Sequence, residues 1–432
     1  MEKKLVAAGA VILAAVIFVQ TVSAKSLEDI LKEKGVITES EYKEVTKVKP
    51  LDYKLGKGFT FTSSDDRFSL TMGTYIQPRY SFADKDSKNT PASQRQDVSE
   101  FRVRRVNFTL SGFAFTKDLT YKAQLEFTQS GNAKMLEDAF MNYKIIDEVQ
   151  VRGGQDKIPF SRQWIISSSA LSFTEYSNAS DAFYVGRDIG VILHGKFLDG
   201  MMHYTVGGYG GAGQSLLNSN NDNAFASRLV FNPFGDVPYV EADINMTKCP
   251  LVSFGLDYYR NTFSRSTASG NTNGFATTNV QFIANNLQFS TPSIPNGWLG
   301  TAAPLFLAAE KVNVNTFSAD FVFKWMGLAV QGEYYWGQGR GRTSQTLVVA
   351  QGGYGQIGYM VIAKHLEAAF RYSIVDPNRN ASNDLQIETA GAVSYYFNNH
   401  YLKIQADVTD QHLQAQGNVD NMIYRLQAQV LF

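Results

Sequence analysis

The residues best able to do chemistry in this chain are its five histidines, and their spacing offers no reaction. His194, His203, His365, His400 and His412 never pair on one element at metal-ligand spacing, so no metal site is expected. Ser394 and His400 come nearest to a nucleophile and base, but no nucleophile motif surrounds them; no catalytic residue is assigned and no enzyme is expected. Gly208-Tyr209-Gly210-Gly211-Ala212-Gly213 matches a dinucleotide pattern by letter alone, because a polar stretch follows where the motif requires a helix; no cofactor is implied. What remains is charge. Read in steps of two, Arg79, Arg102, Arg104, Lys122, Arg152, Arg371, Lys403 and Arg425 fall on the wet face of amphipathic strands, and Glu126, Asp138, Asp257, Asp320, Glu333, Glu367, Glu388 and Asp407 share that phase. Fixed charges of both signs set up a transverse field that orients water and solutes without making bonds.

Strands must position these residues. Phe68, Leu70, Met72, Thr74, Ile76, Tyr80 and Phe82 fall on one face, against Ser69, Thr71, Tyr75, Gln77, Arg79 and Ser81 on the other. Tyr121 to Phe127, Leu402 to Val408 and Tyr424 to Phe432 repeat the pattern. Runs of about 8–12 residues with aromatics near their ends fit tilted membrane strands better than the usual 5–6 of a globular sheet. An exported soluble all-β binding protein, such as an adhesin, is the alternative, its greasy face being core. Short turns are expected at Asn232-Pro233-Phe234-Gly235, Lys324-Trp325-Met326-Gly327 and Phe397-Asn398-Asn399-His400, and long polar excursions over residues 83–99, 264–315 and 337–350. Arg104 followed by Arg105 breaks strict alternation, which a bulge or a strand mouth would accommodate.

The amino terminus points to export. Lys3 and Lys4 precede an apolar run from Leu5 to Val19, then Val22, Ser23 and Ala24, a signal-peptide pattern too short for a spanning helix. No later segment is apolar enough to span as a helix, so a membrane protein of this sequence must be a closed barrel. The expected division is a signal peptide over residues 1–24, a periplasmic N-terminal helical segment over 25–55, and an outer-membrane β-barrel over 56–432. In the second part, Ser26 with Asp29 reads as a capping box and Gly35 as a stop; it is either a subunit-contact arm or a solvated tail. The barrel stretch allows about 16 strands. Formal net charge is zero, which leaves no basic footprint for nucleic acid. Cys249 is the only cysteine, so no internal disulfide holds the fold.

Four stretches in order, Phe101-Arg102-Val103-Arg104-Arg105-Val106 leading to Gly112, Glu137-Asp138-Ala139-Phe140-Met141-Asn142-Tyr143, Gly154-Gln155-Asp156-Lys157-Ile158-Pro159-Phe160-Ser161 and Gly186-Arg187-Asp188-Ile189-Gly190-Val191, resemble the phosphate-selective porins O and P. The resemblance implies a homotrimer of 16-stranded antiparallel barrels in the bacterial outer membrane. Each barrel would be a water-filled channel for passive diffusion of small hydrophilic solutes, inorganic phosphate among them. It also implies a third loop folded inward, here about residues 160–186, with Trp164, Ser168 and Tyr176 at the constriction and Lys157 and Arg187 bounding it. In that frame the inward basic residues named above become pore-lining anion-binding groups, since fixed positive charge in a narrow, partly desolvated path lowers the barrier for anions. The terminal Phe432 resembles the assembly signal that outer-membrane barrels present to the barrel-assembly machinery, with lipid as the remaining partner.

Overall fold

The computed structural model describes residues 27–40, 42, 51–86, 96–127, 135–216, 218, 221–264, 310–414 and 418–432. The expected signal peptide lies outside them, as do Ser26 of the capping box and most of the 264–315 excursion. The chain divides into two compact units, Met1–Pro50 and Leu51–Phe432. Within the first, α1 (Leu27–Glu33) stops at Gly35, whose φ of 67° suits a residue without a Cβ; Val36 N–H then donates to Leu31 O at 2.9 Å.

The second unit opens with a hairpin, β1 (Leu51–Lys54) and β2 (Gly58–Thr62). Eight strands follow: β3 (Phe68–Asp84), β4 (Val98–Ala114), β5 (Thr116–Glu126), β6 (Leu136–Ile146), β7 (Val149–Lys157), β8 (Arg187–Phe197), β9 (Met202–Tyr209) and β10 (Ala224–Phe231). Eight more complete the set: β11 (Leu251–Ser264), β12 (Lys311–Trp325), β13 (Leu328–Gly341), β14 (Leu347–Ile362), β15 (Leu366–Asp376), β16 (Gln386–Asn398), β17 (Leu402–Leu413) and β18 (Val419–Leu431). Each strand from β3 to β18 pairs antiparallel with the next, and β18 returns to β3 from Met422↔Asp84 to Leu431↔Tyr75. This is a closed 16-stranded barrel, so no strand edge is left open, the condition a sheet must meet in hydrocarbon. Phe432 N–H donates to Thr74 O at 3.0 Å and Thr74 N–H to Phe432 O at 2.7 Å, carrying the seam to the last residue.

Alternation sorts side chains by solvent. On β12, Phe317, Phe321 and Trp325 are exposed on the outer face, while Ser318, Asp320, Val322 and Lys324 are buried inside. Phe317 to Trp325 covers roughly 27 Å of strand, or on the order of 20 Å of height at the usual tilt, close to the apolar band of an outer-membrane barrel. Exposed Phe and Trp there face lipid, which explains why a large apolar surface is stable.

Most strand ends obey the expected rhythm of one short and one long connection. Met326 and Gly327 join β12 to β13 with φ of 47° and 87°, the two positive angles a tight hairpin of matching twist requires. Two expectations fail. The 337–350 excursion is only residues 342–346, because β13 runs on to Gly341 and β14 starts at Leu347. Asn232 to Gly235 does turn, with Gly235 N–H donating to Asn232 O at 3.2 Å, but it opens a connection that reaches β11 only at Leu251. That segment enters the lumen from the short-turn end, where Ala242 and Ile244 pack with Met360 and Tyr396.

Candidate functional site

Residues 158–186, between β7 and β8, fold into the barrel and carry α2 (Arg162–Ile165), a 3-10 turn (Ser168–Ala170) and α3 (Asn178–Ala182). Their serines serve the backbone first. Ser161, Ser167 and Ser177 cap the three turns by accepting from Trp164, Ser169 and Ser180 N–H, and Ser167, together with Ser168, also lines the larger cavity.

Carboxylates of one wall hold this loop. Asp257 on β11 accepts from Ser161 N–H at 3.0 Å, Glu333 on β13 from Ser161 Oγ at 2.8 Å, Glu367 on β15 from Ser172 Oγ at 2.9 Å, and Asp407 on β17 from Thr174 N–H at 2.9 Å. Glu241, from the second inserted segment, accepts from Ser172 N–H at 2.8 Å. Behind these bonds Phe160 and Phe183 pack on Tyr335, Val312 and Val314, with Phe183 stacked on Tyr335 at 5.1 Å. Half of the lumen is therefore a packed core. Of the inward acids that the sequence sets against the inward bases, Asp257, Glu333, Glu367 and Asp407 serve as acceptors for the loop, while Asp138, Asp320 and Glu388 pair with strand arginines.

Several inward cations are consumed likewise. Arg371 donates to Glu175 O, Tyr176 O and Glu388, Lys403 to Leu171 O at 2.9 Å, and Arg79 to Thr174 O at 2.8 Å; all three are buried beneath the loop rather than in the open passage. Arg425 pairs with Asp407 at 3.0 Å and lines a smaller cavity of about 490 Å³. Arg102 lies at the long-loop end of β4, exposed, with Glu100 at 3.5 Å.

The open passage is the other half, a cavity of about 780 Å³. Of the basic residues expected from sequence, Arg104, Lys122, Arg152, Lys157 and Arg187 line it; Arg105, Lys196 and Arg228 line it too. Against these eight stand Glu126, Glu137, Asp138, Asp156, Glu175 and Asp181. Trp164 packs its ring 4.3 Å from Lys157 Nζ, with Tyr184 edge-on at 4.2 Å, and Tyr176 donates to Ile166 O at 3.1 Å. Ser168 Oγ meets Tyr75 OH at 2.9 Å. Arg187 binds Asp138 at 2.7 Å and Glu137 at 3.2 Å, and Lys122 reaches Asp138 at 2.6 Å.

Glu175 is the junction of the two halves. Its carboxylate takes Arg79 at 2.5 Å, Arg104 at 2.6 Å and Arg105 at 2.8 Å. Burial alone would raise its pKa, but Arg105, then Arg79 and Arg104, outweigh that and hold it well below the carboxylate range. Arg104 and Arg105 both reach inward because the β3–β4 register slips between Gln77 and Pro78, leaving Arg104 as the extra residue of a bulge. Asp181 is exposed on the cavity surface, yet the barrel surrounds it; burial first, then Glu175 and Glu388, push its carboxyl up to about 7.

The sequence pointed at Arg105 through the doubled arginine and could have yielded Arg228, which alternates in phase with Ala226 and Val230. Nothing in the Ser-rich loop singled out Glu175.

A family profile described as phosphate-selective porin O and P matches residues 72–432. An uncharacterized protein of Aquifex aeolicus (strain VF5) is 28% identical over 293 residues, covering 60% of this chain and 67% of that one. Among solved structures, the anion-selective porin of Comamonas acidovorans superposes with a TM-score of 0.55 at 10% identity, covering 85% of this chain and all of its own. The outer membrane channel DcaP of Acinetobacter baumannii gives 0.51 at 10% identity, covering 87% and 100%. The trimer form of OmpT, an outer membrane protein of Vibrio cholerae, gives 0.51 at 12%, covering 84% and 99%. These structures share the barrel fold. With the profile spanning the closed 16-stranded barrel, the chain belongs to the phosphate-selective porin O and P family and is a passive channel of the bacterial outer membrane, not an enzyme.

Proposed function

We propose that this channel passes small hydrophilic solutes with a preference for anions, inorganic phosphate among them. One observation carries the reading: at the junction of loop and wall a single carboxylate, Glu175, faces three guanidiniums, and the same wall adds Arg152, Lys157 and Arg187 to the passage. Asp156 beside Arg152 and Glu137 and Asp138 beside Arg187 offset part of that surface, but eight basic groups against six acids leave an excess of positive charge along the cavity. An anion crossing here exchanges hydration for fixed donors and positive potential, which lowers its barrier relative to a cation. Arg104 and Arg152, each partly open to the cavity, are the groups a passing anion would meet.

A homotrimer is the assembly we assign, supported by the trimer form of the similarly folded OmpT. Residues 1–24 are assigned as the export signal and the segment after it as a periplasmic arm that ends before residue 55, because Leu51–Lys54 already pair as β1 in the barrel unit; Phe432, paired at the seam, is assigned as the signal for the barrel-assembly machinery.

Single-channel recording in a planar bilayer tests the reading. Under a KCl gradient the reversal potential should lie on the anion side, and phosphate added to the chloride bath should reduce the chloride current. Conductance without either effect would leave a porin lacking the proposed preference.

A further inference from the structure

The outer surface of the barrel carries a second, separate concentration of positive charge. Cross-strand register sets Tyr258 of β11, Phe317 of β12 and Trp336 of β13 side by side on the lipid face, with ring centroids 4.8 and 5.8 Å apart. Such a row marks the level of the lipid headgroups. The next outward row toward the long-loop end is Arg260, Asn315 and Gln338, and the row above it is Thr262, Asn313 and Arg340. Arg260 and Arg340 are exposed, and their side chains make no hydrogen bond or ion pair among the described residues. The nearby acid, Asp222, is already bound by Lys311 at 2.5 Å and Arg342 at 3.0 Å, so it neutralises neither. Over β15–β18 this end of the barrel carries three outward acids, Asp376 on β15, Asp410 on β17 and Asp420 on β18, the last hydrogen-bonded to His412, with Arg379 exposed in the β15–β16 connection. Charge around the rim is thus segregated, basic over β11–β13 and acidic over β15–β18.

We infer that the face of β11–β13 above the aromatic row docks the phosphorylated headgroup of an outer-leaflet glycolipid. Long connections mark the external end of such barrels, which places the patch in the outer leaflet. Arg260 and Arg340 are two residues apart along the strands and two strands apart across them, roughly 12 Å between backbones by sheet spacing. That separation suits a disaccharide carrying a phosphate at each end, each phosphate taking charge-assisted bonds from one guanidinium. Asn315 Nδ2 and the Gln338 amide lie beside them for sugar hydroxyls, Asn315 Oδ1 being held by Tyr258 OH at 2.8 Å, and the acyl chains descend along Phe317 and Phe321. Neither arginine faces the passage, so a free anion crossing the lumen does not meet them.

Native mass spectrometry of the full-length protein in mild detergent, titrated with bisphosphoryl lipid A and with its dephosphorylated counterpart, tests the assignment. Wild type should retain the phosphorylated lipid and bind the dephosphorylated one weakly. The Arg260→Gln/Arg340→Gln variant should lose affinity on the order of tenfold or more for the phosphorylated lipid, as expected for two basic residues at a membrane surface. Heat-modifiable gel mobility and single-channel conductance should stay at wild-type values, showing that barrel and lumen are intact. Equal affinity for the two lipids, or a variant that binds as tightly as wild type, would overturn the proposal. So would displacement of the lipid by millimolar inorganic phosphate, which would make this a free-anion site.

Discussion

The carboxylate of Glu175 and the guanidinium of Arg105 lie 2.8 Å apart, one on the inserted loop and one on barrel strand β4, both lining the larger cavity. Arg79 and Arg104 complete the clasp. Tyr75 OH at Ser168 Oγ (2.9 Å) and Lys157 Nζ at Trp164 O (2.6 Å) tie the loop to the same side, so the clasp acts with these bonds to set how far the loop stands from the cationic wall.

Glu175→Gln should loosen the clasp. Removing one member of a largely enclosed ionic cluster leaves the others unpaired and costs about 3 kcal/mol. The temperature at which the compact gel form is lost should fall, and brief closures should multiply in single-channel traces. Because the folded pKa is depressed, the clasp's contribution is present above the ordinary value of 4.5 and is lost only as pH falls through the lower folded value; wild type should keep its quiet trace at pH 5. An unchanged melting temperature and trace in the variant would remove Glu175 from this role.

Asp181 should make selectivity depend on pH. Its folded pKa of about 7 lies above the ordinary 3.8, so the folded state holds a proton that the unfolded chain releases, and stability declines as pH rises across that window. The charge that appears near neutrality faces the passage. The anion-to-cation permeability ratio should drop about two- to threefold between pH 6 and pH 8, the effect of one charge at several ångströms in lumen water. Asp181→Asn should flatten that profile; a variant with the wild-type slope would assign the titration elsewhere.

Neutralising Arg104 and Arg152 together should shift the reversal potential toward the cation side and weaken phosphate block several-fold, at about 1 kcal/mol per charge. Both are partly open to the cavity, whereas Arg79 and Arg371 are buried anchors whose loss would unseat the loop. Reversal potentials of the folded double Gln variant decide the matter, and no shift would show that these charges are spent on Glu175 and Asp156.

Replacing residues 236–248 by a two-residue turn should raise conductance. The segment fills the lumen beside β12–β16, where Val240 O and Ala242 O take Lys324 Nζ at 2.6 and 3.1 Å. Conductance equal to wild type from a folded barrel would mean that the loop alone seals that half.

The barrel was legible because period-two alternation at Phe68 to Phe82 or Leu402 to Val408 reports directly which side of a strand meets lipid. Inward direction was equally legible; what an inward residue does was not. Arg79, Arg371 and Lys403 point into the barrel as the pattern requires, but whether they meet water or the loop depends on how 158–186 packs, and that is set by contacts across more than a hundred residues of sequence, such as Ser161 with Glu333. The second insertion escaped notice because Asn232-Pro233-Phe234-Gly235 is a genuine turn, and the alternating stretch after it, Tyr239 to Ile244, reads like the start of the next strand.

Every residue lining the larger cavity lies between Tyr75 and Tyr239, while the wall carboxylates that seat the loop, Asp257, Glu333, Glu367 and Asp407, all come later. The chain is therefore written in two chapters, a filter followed by its mounting. Mutations in the first can retune what passes while the second stays fixed, and a crossover between relatives near residue 240 would transplant a permeation character whole, carrying its loop with it.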